Sequence, residues 1–138
     1  MGDNIPKYDC KLFYYTKKNV IASLPTGTWD GDTARRNRSE IKEMAKIFKG
    51  EPWVFLGLIE HMKLVPDAQT AIEFSKFHSE FYNMNCKTII FATGDELPIK
   101  IRSKRHQDMS CKVGLNVIYV ETEQEAIDII KNDDSIFT

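Results

Sequence analysis

The sequence predicts an α/β fold, a mixed five-stranded sheet opened by an antiparallel hairpin, with elements in the order β-β-α-β-α-β-α-β-α. Three observations carry this. Residues 27–59 read as a turn, an amphipathic helix, a glycine stop and a continuous apolar strand, the connecting unit of a sheet crossed by helices. The runs WVFLGLI (53–59) and CKTIIFAT (86–93) are apolar on both faces, as strands covered from both sides are. Ahead of them, YDCKLFYY (8–15) and VIASL (20–24) are joined by a short polar break, the pattern of a hairpin.

Each element follows from local chemistry. In 8–15, Tyr8, Cys10, Leu12 and Tyr14 alternate onto one face. Pro25 and Gly27 are expected to end the second strand. Asp30, Asp32 and Thr33 are all able to cap the helix that follows. Its apolar face is Ala34, Ile41, Met44, Ala45 and Phe48, and Gly50 is placed to stop it in a left-handed turn. A second helix is expected over 66–82, with Pro66 in its first turn and Ala71, Phe74, Phe77 or His78, and Phe81 repeating along one side. Residues 95–109 are poor in apolar residues and predict a helix beginning near Leu97 and Pro98. NVIYV (116–120) is the last strand, and Thr122 with Glu125 fits the reciprocal capping box of a terminal helix. Residues 132–138 are expected to be a frayed tail.

Bulk properties narrow the function classes. A chain of 138 residues is the size of one domain, spanning 1–138, able to bury roughly two-thirds of its unfolded surface. The formal net charge of −1 supplies no global field toward nucleic acid or membrane. Three cysteines, Cys10, Cys86 and Cys111, form no C-x-x-C pair and point to reduced thiols and a cytoplasmic setting. The start of the chain has no apolar signal region, and no run reaches the length of a membrane span. Gly2 is followed by Pro6 rather than the Ser or Thr that myristoylation requires at that position.

With this element order, the segments Gly27-Thr28-Trp29-Asp30, Ala34-Arg35-Arg36, Gly50-Glu51-Pro52-Trp53, Pro66-Asp67-Ala68 and 120–126 (VETEQEA) make the chain resemble the STAS-like domains. These are the family of the bacterial anti-sigma-factor antagonists, and the chain is similar to a small, divergent branch of it. The resemblance spans nearly the whole chain, and it implies a role in binding rather than catalysis. One departure stands out. The family carries a phosphorylatable Ser or Thr where the helix after the third strand begins, whereas residues 60–67 here read EHMKLVPD, without a hydroxyl. The kinase-driven partner switch of the family is therefore not supported.

The candidate sites are few. Arg35, Arg36 and Arg38 crowd the first turns of a helix, where arginines and free N–H groups suit an anion or an acidic partner; the plainer reading is a solvated face neutralised by Asp30 and Asp32. Lys100, Arg102, Lys104 and Arg105, with His106, form a basic patch, but no aromatic is interleaved for stacking on bases, so nucleic acid is not expected. Glu60 and His61 fall at a strand end, where open α/β sheets place ligands, yet no nucleophile accompanies them. His61, His78 and His106 have no metal-ligand spacing. Cys111 lies near basic residues that lower a thiol pKa, without an identifiable partner. The expectation is a non-enzymatic regulatory module that binds another protein, with no cofactor, metal or membrane. The alternative is a carrier or sensor of a small apolar or anionic ligand near the strand carboxyl ends. An enzyme built on Glu60, His61 or Cys111 ranks last.

Overall fold

The computed structural model describes residues 8–15, 18–94 and 115–138. The antiparallel hairpin is formed by β1 (Tyr8–Tyr15) and β2 (Val20–Trp29), with Tyr8 opposite Gly27 and Tyr15 opposite Val20. Next come α1 (Gly31–Ala45), β3 (Trp53–Leu58), β4 (Met62–Leu64), α2 (Ala68–Asn83), β5 (Cys86–Ala92), β6 (Asn116–Val120) and α3 (Glu123–Asn132). The main path of the sheet runs β1-β2-β3-β5-β6, parallel from β2 onward. This is the mixed sheet opened by a hairpin that the sequence predicts. The three-residue β4, which the sequence did not announce, pairs in parallel with Gly27, Thr28 and Trp29 at the far end of β2. The helix expected over 95–109 lies outside the described residues.

Alternation along the strands divides the interior into two cores. Ile21, Trp53, Phe55, Ile89, Phe91 and Val117 point to the side covered by α1 and α2. Val20, Ala22, Val54, Leu56, Leu58, Ile90 and Ala92 point to the side covered by α3. All six residues of β3 are buried, as its apolar character on both faces requires.

Local signals explain the helix ends. Asp30 is the N-cap of α1, its Oδ1 accepting the Thr33 N–H at 2.9 Å and the Thr33 hydroxyl at 2.8 Å. α1 tightens into a 3₁₀ turn at Lys46–Phe48, and Lys49 (φ 52°) and Gly50 (φ 82°) then reverse the chain through the left-handed region. Thr122 caps α3 by accepting the Glu125 N–H at 3.1 Å, while the Glu125 carboxylate meets the Thr122 hydroxyl at 3.2 Å.

Three expectations are corrected. Pro66 precedes α2 rather than entering its first turn; the cap is Asp67, whose Oδ1 accepts the Thr70 N–H at 2.7 Å. β2 does not end at Pro25 but runs to Trp29. Leu24, Pro25 and Thr26 fall in the gap where β2 leaves β3 and meets β4, and a residue without an N–H is tolerated where the parallel ladder is interrupted. Residues 132–138 are not a frayed tail. Asp134–Phe137 forms a 3₁₀ turn, Ile136 is buried in the second core, and its carbonyl accepts the Thr88 hydroxyl at 2.7 Å. Lys18 holds the turn from the hairpin side, donating to the Ile130 carbonyl and meeting Asp134 at 3.0 Å.

Ile136→Ala is accordingly expected to destabilise the fold by about 2–4 kcal/mol, the cost of truncating a packed core residue. Urea denaturation followed by circular dichroism checks this; a truly frayed end would leave the midpoint unmoved.

Candidate functional site

The sheet face under α1 and α2 carries two small residues side by side. Ser23 of β2 and Gly57 of β3 are register partners, and Gly57 pairs in turn with Phe91 of β5. The next row on the same face, Ile21, Phe55 and Ile89, is fully sized. The missing volume at Ser23 and Gly57 leaves a cavity of about 40 Å³ toward the carboxyl ends of the parallel strands. Gly57 cannot be enlarged without disturbance, because a Cβ there would lie 2.9 Å from Cδ1 of Phe91. Ile59, Met62 and Leu64 form the wall beyond β3, and Phe74, Phe77 and His78 of α2 cover it.

Ser23, Asn37 and His78 are the polar residues of this wall, and each is at least nine-tenths buried. Two of them converge on one thiol. Ser23 Oγ lies 3.1 Å from Cys10 Sγ, and Asn37 Nδ2 donates to the same sulfur at 3.3 Å. The cavity thus has an apolar body, a polar corner backed by Cys10, and His78 of α2 in its cover.

Among the described residues, the candidates named from sequence lie in separate places. Arg35 and Arg36 are exposed on α1, and Arg35 pairs with Asp32 at 2.8 Å. Arg38 is not with them: it is 5% exposed. Its Nη2 meets Glu73 Oε1 at 3.0 Å, its Nε meets Glu80 Oε2 at 3.2 Å, and its Nη1 donates to the Glu73 carbonyl. The guanidinium also lies 5.8 Å from the Phe77 ring centroid, within reach of a cation–π contact. Arg38 therefore locks α1 to α2 and is not placed to receive an external anion. The signal was available in the spacing, since Ala34, Arg38, Ile41 and Ala45 fall on one helical face.

Glu60 and His61 occupy the exposed turn between β3 and β4, with Oε2 and Nε2 3.8 Å apart. Neither lines the cavity. Glu60 instead lies across Gly94, where a Cβ would come within 2.5 Å of it. Lys100, Arg102, Lys104, Arg105 and Cys111 lie outside the described residues. Cys86 is fully buried, and burial pushes its thiol up to about 12, so it holds no thiolate at neutral pH. No cluster of three or more metal-ligating side chains occurs among the described residues, and no helix among them is long and apolar enough to cross a membrane.

No protein-family model matches the sequence, and no curated protein matches it. Solved structures do. An uncharacterized protein of the DUF3478 family from Shewanella loihica, described as having a SpoIIAA-like fold, superposes with a TM-score of 0.65 at 12% identity, covering 93% of this chain and 97% of its own. The Bacillus cell fate determinant SpoIIAA, in its phosphorylated form, superposes with a TM-score of 0.58 at 14% identity, covering 88% and 99%. The chain has a SpoIIAA-like fold.

In this SpoIIAA-like chain, the start of α2 is filled by a carboxylate. Asp67 already takes the Thr70 N–H, and that hydrogen bond holds its carboxyl below the ordinary value. Thr70, the first hydroxyl after β4, is only 1% exposed. A phosphate on Thr70 would find its own N–H already taken and its hydroxyl buried.

The Arg38 cluster sets an acid limit. Burial pushes the Glu73 carboxyl up, but the Arg38 hydrogen bond, supported by the charges of Lys76, Arg38 and Arg35, outweighs it and leaves Glu73 below its ordinary value. Asp30 is lowered chiefly by the Thr33 N–H. Groups depressed on folding add stability that is fully present above their unfolded values, near pH 4, and is lost as pH falls through the folded ones. Urea midpoints should therefore be level near neutrality and drop below about pH 4, with a shallower drop in Asp30→Asn/Asp67→Asn. Arg38→Met should cost about 3 kcal/mol at pH 7, because it strands the buried Glu73 carboxylate; a double-mutant cycle with Glu73→Gln, read by urea denaturation, should recover much of that loss.

Proposed function

We propose that this chain is a single-domain, non-enzymatic regulatory module that acts by binding another protein. The observation that carries this reading is its SpoIIAA-like fold, shared over 88% of the chain with a protein whose role is cell fate determination. Arg35 and Arg36, exposed near the start of α1, are its proposed contact with an acidic partner. The basic run Lys100, Arg102, Lys104 and Arg105 is a second proposed contact. Arg38 supports the surface indirectly by holding α1 against α2.

The test is affinity capture followed by reconstitution with the purified partner at about 0.05 and 0.3 M salt. Binding is expected to be stoichiometric, to weaken with salt, and to fall at least about tenfold in Arg35→Glu/Arg36→Glu. A partner that ignores both changes would remove these arginines from the interface. If native mass spectrometry of gently purified protein finds only the 15.9 kDa chain, and capture yields no partner, the protein-binding reading fails.

A second reading is favoured by the cavity beneath α1 and α2, where the chain would carry or sense a small ligand at the strand carboxyl ends. Its apolar wall suits an apolar ligand better than an anionic one.

A further inference from the structure

Resting on that second reading, we propose that the cavity receives the alkyl end of a small uncharged amphiphile whose single hydroxyl or carbonyl is bound at the Ser23–Asn37 corner. Three properties of the site define this class. The first is size. At about 40 Å³ the void has room for roughly three water molecules, so it takes a slender chain end rather than a fused ring system.

The second is charge. No Lys, Arg, Asp or Glu side chain lines the cavity, and its one titratable side chain is the buried His78 of α2. The nearest guanidinium on α1, that of Arg38, is engaged by Glu73 and Glu80. A carboxylate or phosphate entering this space would lose its hydration with no Lys or Arg in the wall to replace it.

The third is the polar corner. Ser23 Oγ and Asn37 Nδ2 are within 3.1 and 3.3 Å of the Cys10 sulfur. Sulfur is a weak hydrogen-bond partner, so exchanging it for a ligand oxygen strengthens the bonds of both groups. Cys10 keeps the corner satisfied when the cavity is empty and yields it readily. The smallness of Ser23 and Gly57 makes the space, while Asn37 from α1 supplies the donor that orients what enters.

Titration of the full-length, uniformly ¹⁵N-labelled protein with 1-hexanol and, separately, with sodium hexanoate tests this by NMR. Saturable shifts are expected with 1-hexanol at cavity residues such as Gly57, Phe77 and Phe91, together with the side-chain amide of Asn37. Hexanoate is expected to bind at least about tenfold more weakly, and Asn37→Leu to weaken 1-hexanol several-fold. Should Asn37→Leu fail to fold, the Asn37 side-chain resonance of the unaltered protein reports the same contact. If neither probe gives saturable shifts, the proposal falls together with the small-ligand reading. If hexanoate binds as well as 1-hexanol, the reading stands and the uncharged class is overturned. Binding of 1-hexanol with the Asn37 amide unmoved overturns the polar corner.

Discussion

The burial of β3 on both faces is the constraint on which the rest of the molecule depends. Six consecutive residues are buried, so each face of the strand must be roofed by helix, and each neighbour must be a strand that satisfies its backbone. Trp53 and Phe55 set the thickness of the side under α1 and α2, where Trp53, Phe81, Phe55, Phe77 and Phe74 form a run of ring contacts 5.3 to 5.4 Å apart. Val54, Leu56 and Leu58 face the other side, where among the described residues α3 and the 3₁₀ turn behind it pack. The aromatic character of one core and the aliphatic character of the other are thus written into alternating residues of one strand.

On the thicker side, the helices are fixed by chemistry that apolar packing alone does not supply. Arg38 bridges two carboxylates and a backbone carbonyl of α2, and Lys42 adds a contact to Glu80 at 2.7 Å. Buried ion pairs contribute less to net stability than to the choice of one arrangement over others. Here they hold α1 and α2 in register above Ser23 and Gly57, so that the shortage of side-chain volume in the sheet remains a cavity instead of being closed by a shift of the helices. Position of the helices and existence of the site are the same fact.

Much of this was legible in the sequence. The hairpin, the buried strands, the Asp30 and Thr122 caps and the reversal at Gly50 all rest on signals contained within a few residues. What escaped was non-local. β4 is too short to show a period, and β2 continues past Pro25 because β1 stays paired with it as far as Gly27 and β4 then joins it on the other edge. Arg38 was grouped with Arg35 and Arg36 by adjacency, although the three-and-four spacing that placed Ala34 and Ile41 inside applies to it equally. The cavity arises from the pairing of Ser23 with Gly57, thirty-four positions apart along the chain. A lone glycine in an otherwise apolar strand was the available hint, and only the register gave it meaning.

The docking of the terminal 3₁₀ turn also bears on how the molecule comes into being. Lys18 meets Asp134, and Thr88 meets Ile136, so among the described residues one side of the sheet is covered by a segment far along the chain from the strands it closes. During synthesis, Val20, Val54 and Ile90 lack this cover until residues 123–137 have emerged from the ribosome. Contacts spanning most of the chain are slow to form, and an uncovered sheet is open to association with other nascent chains. Docking of 123–137 is thus also the step that ends this exposure.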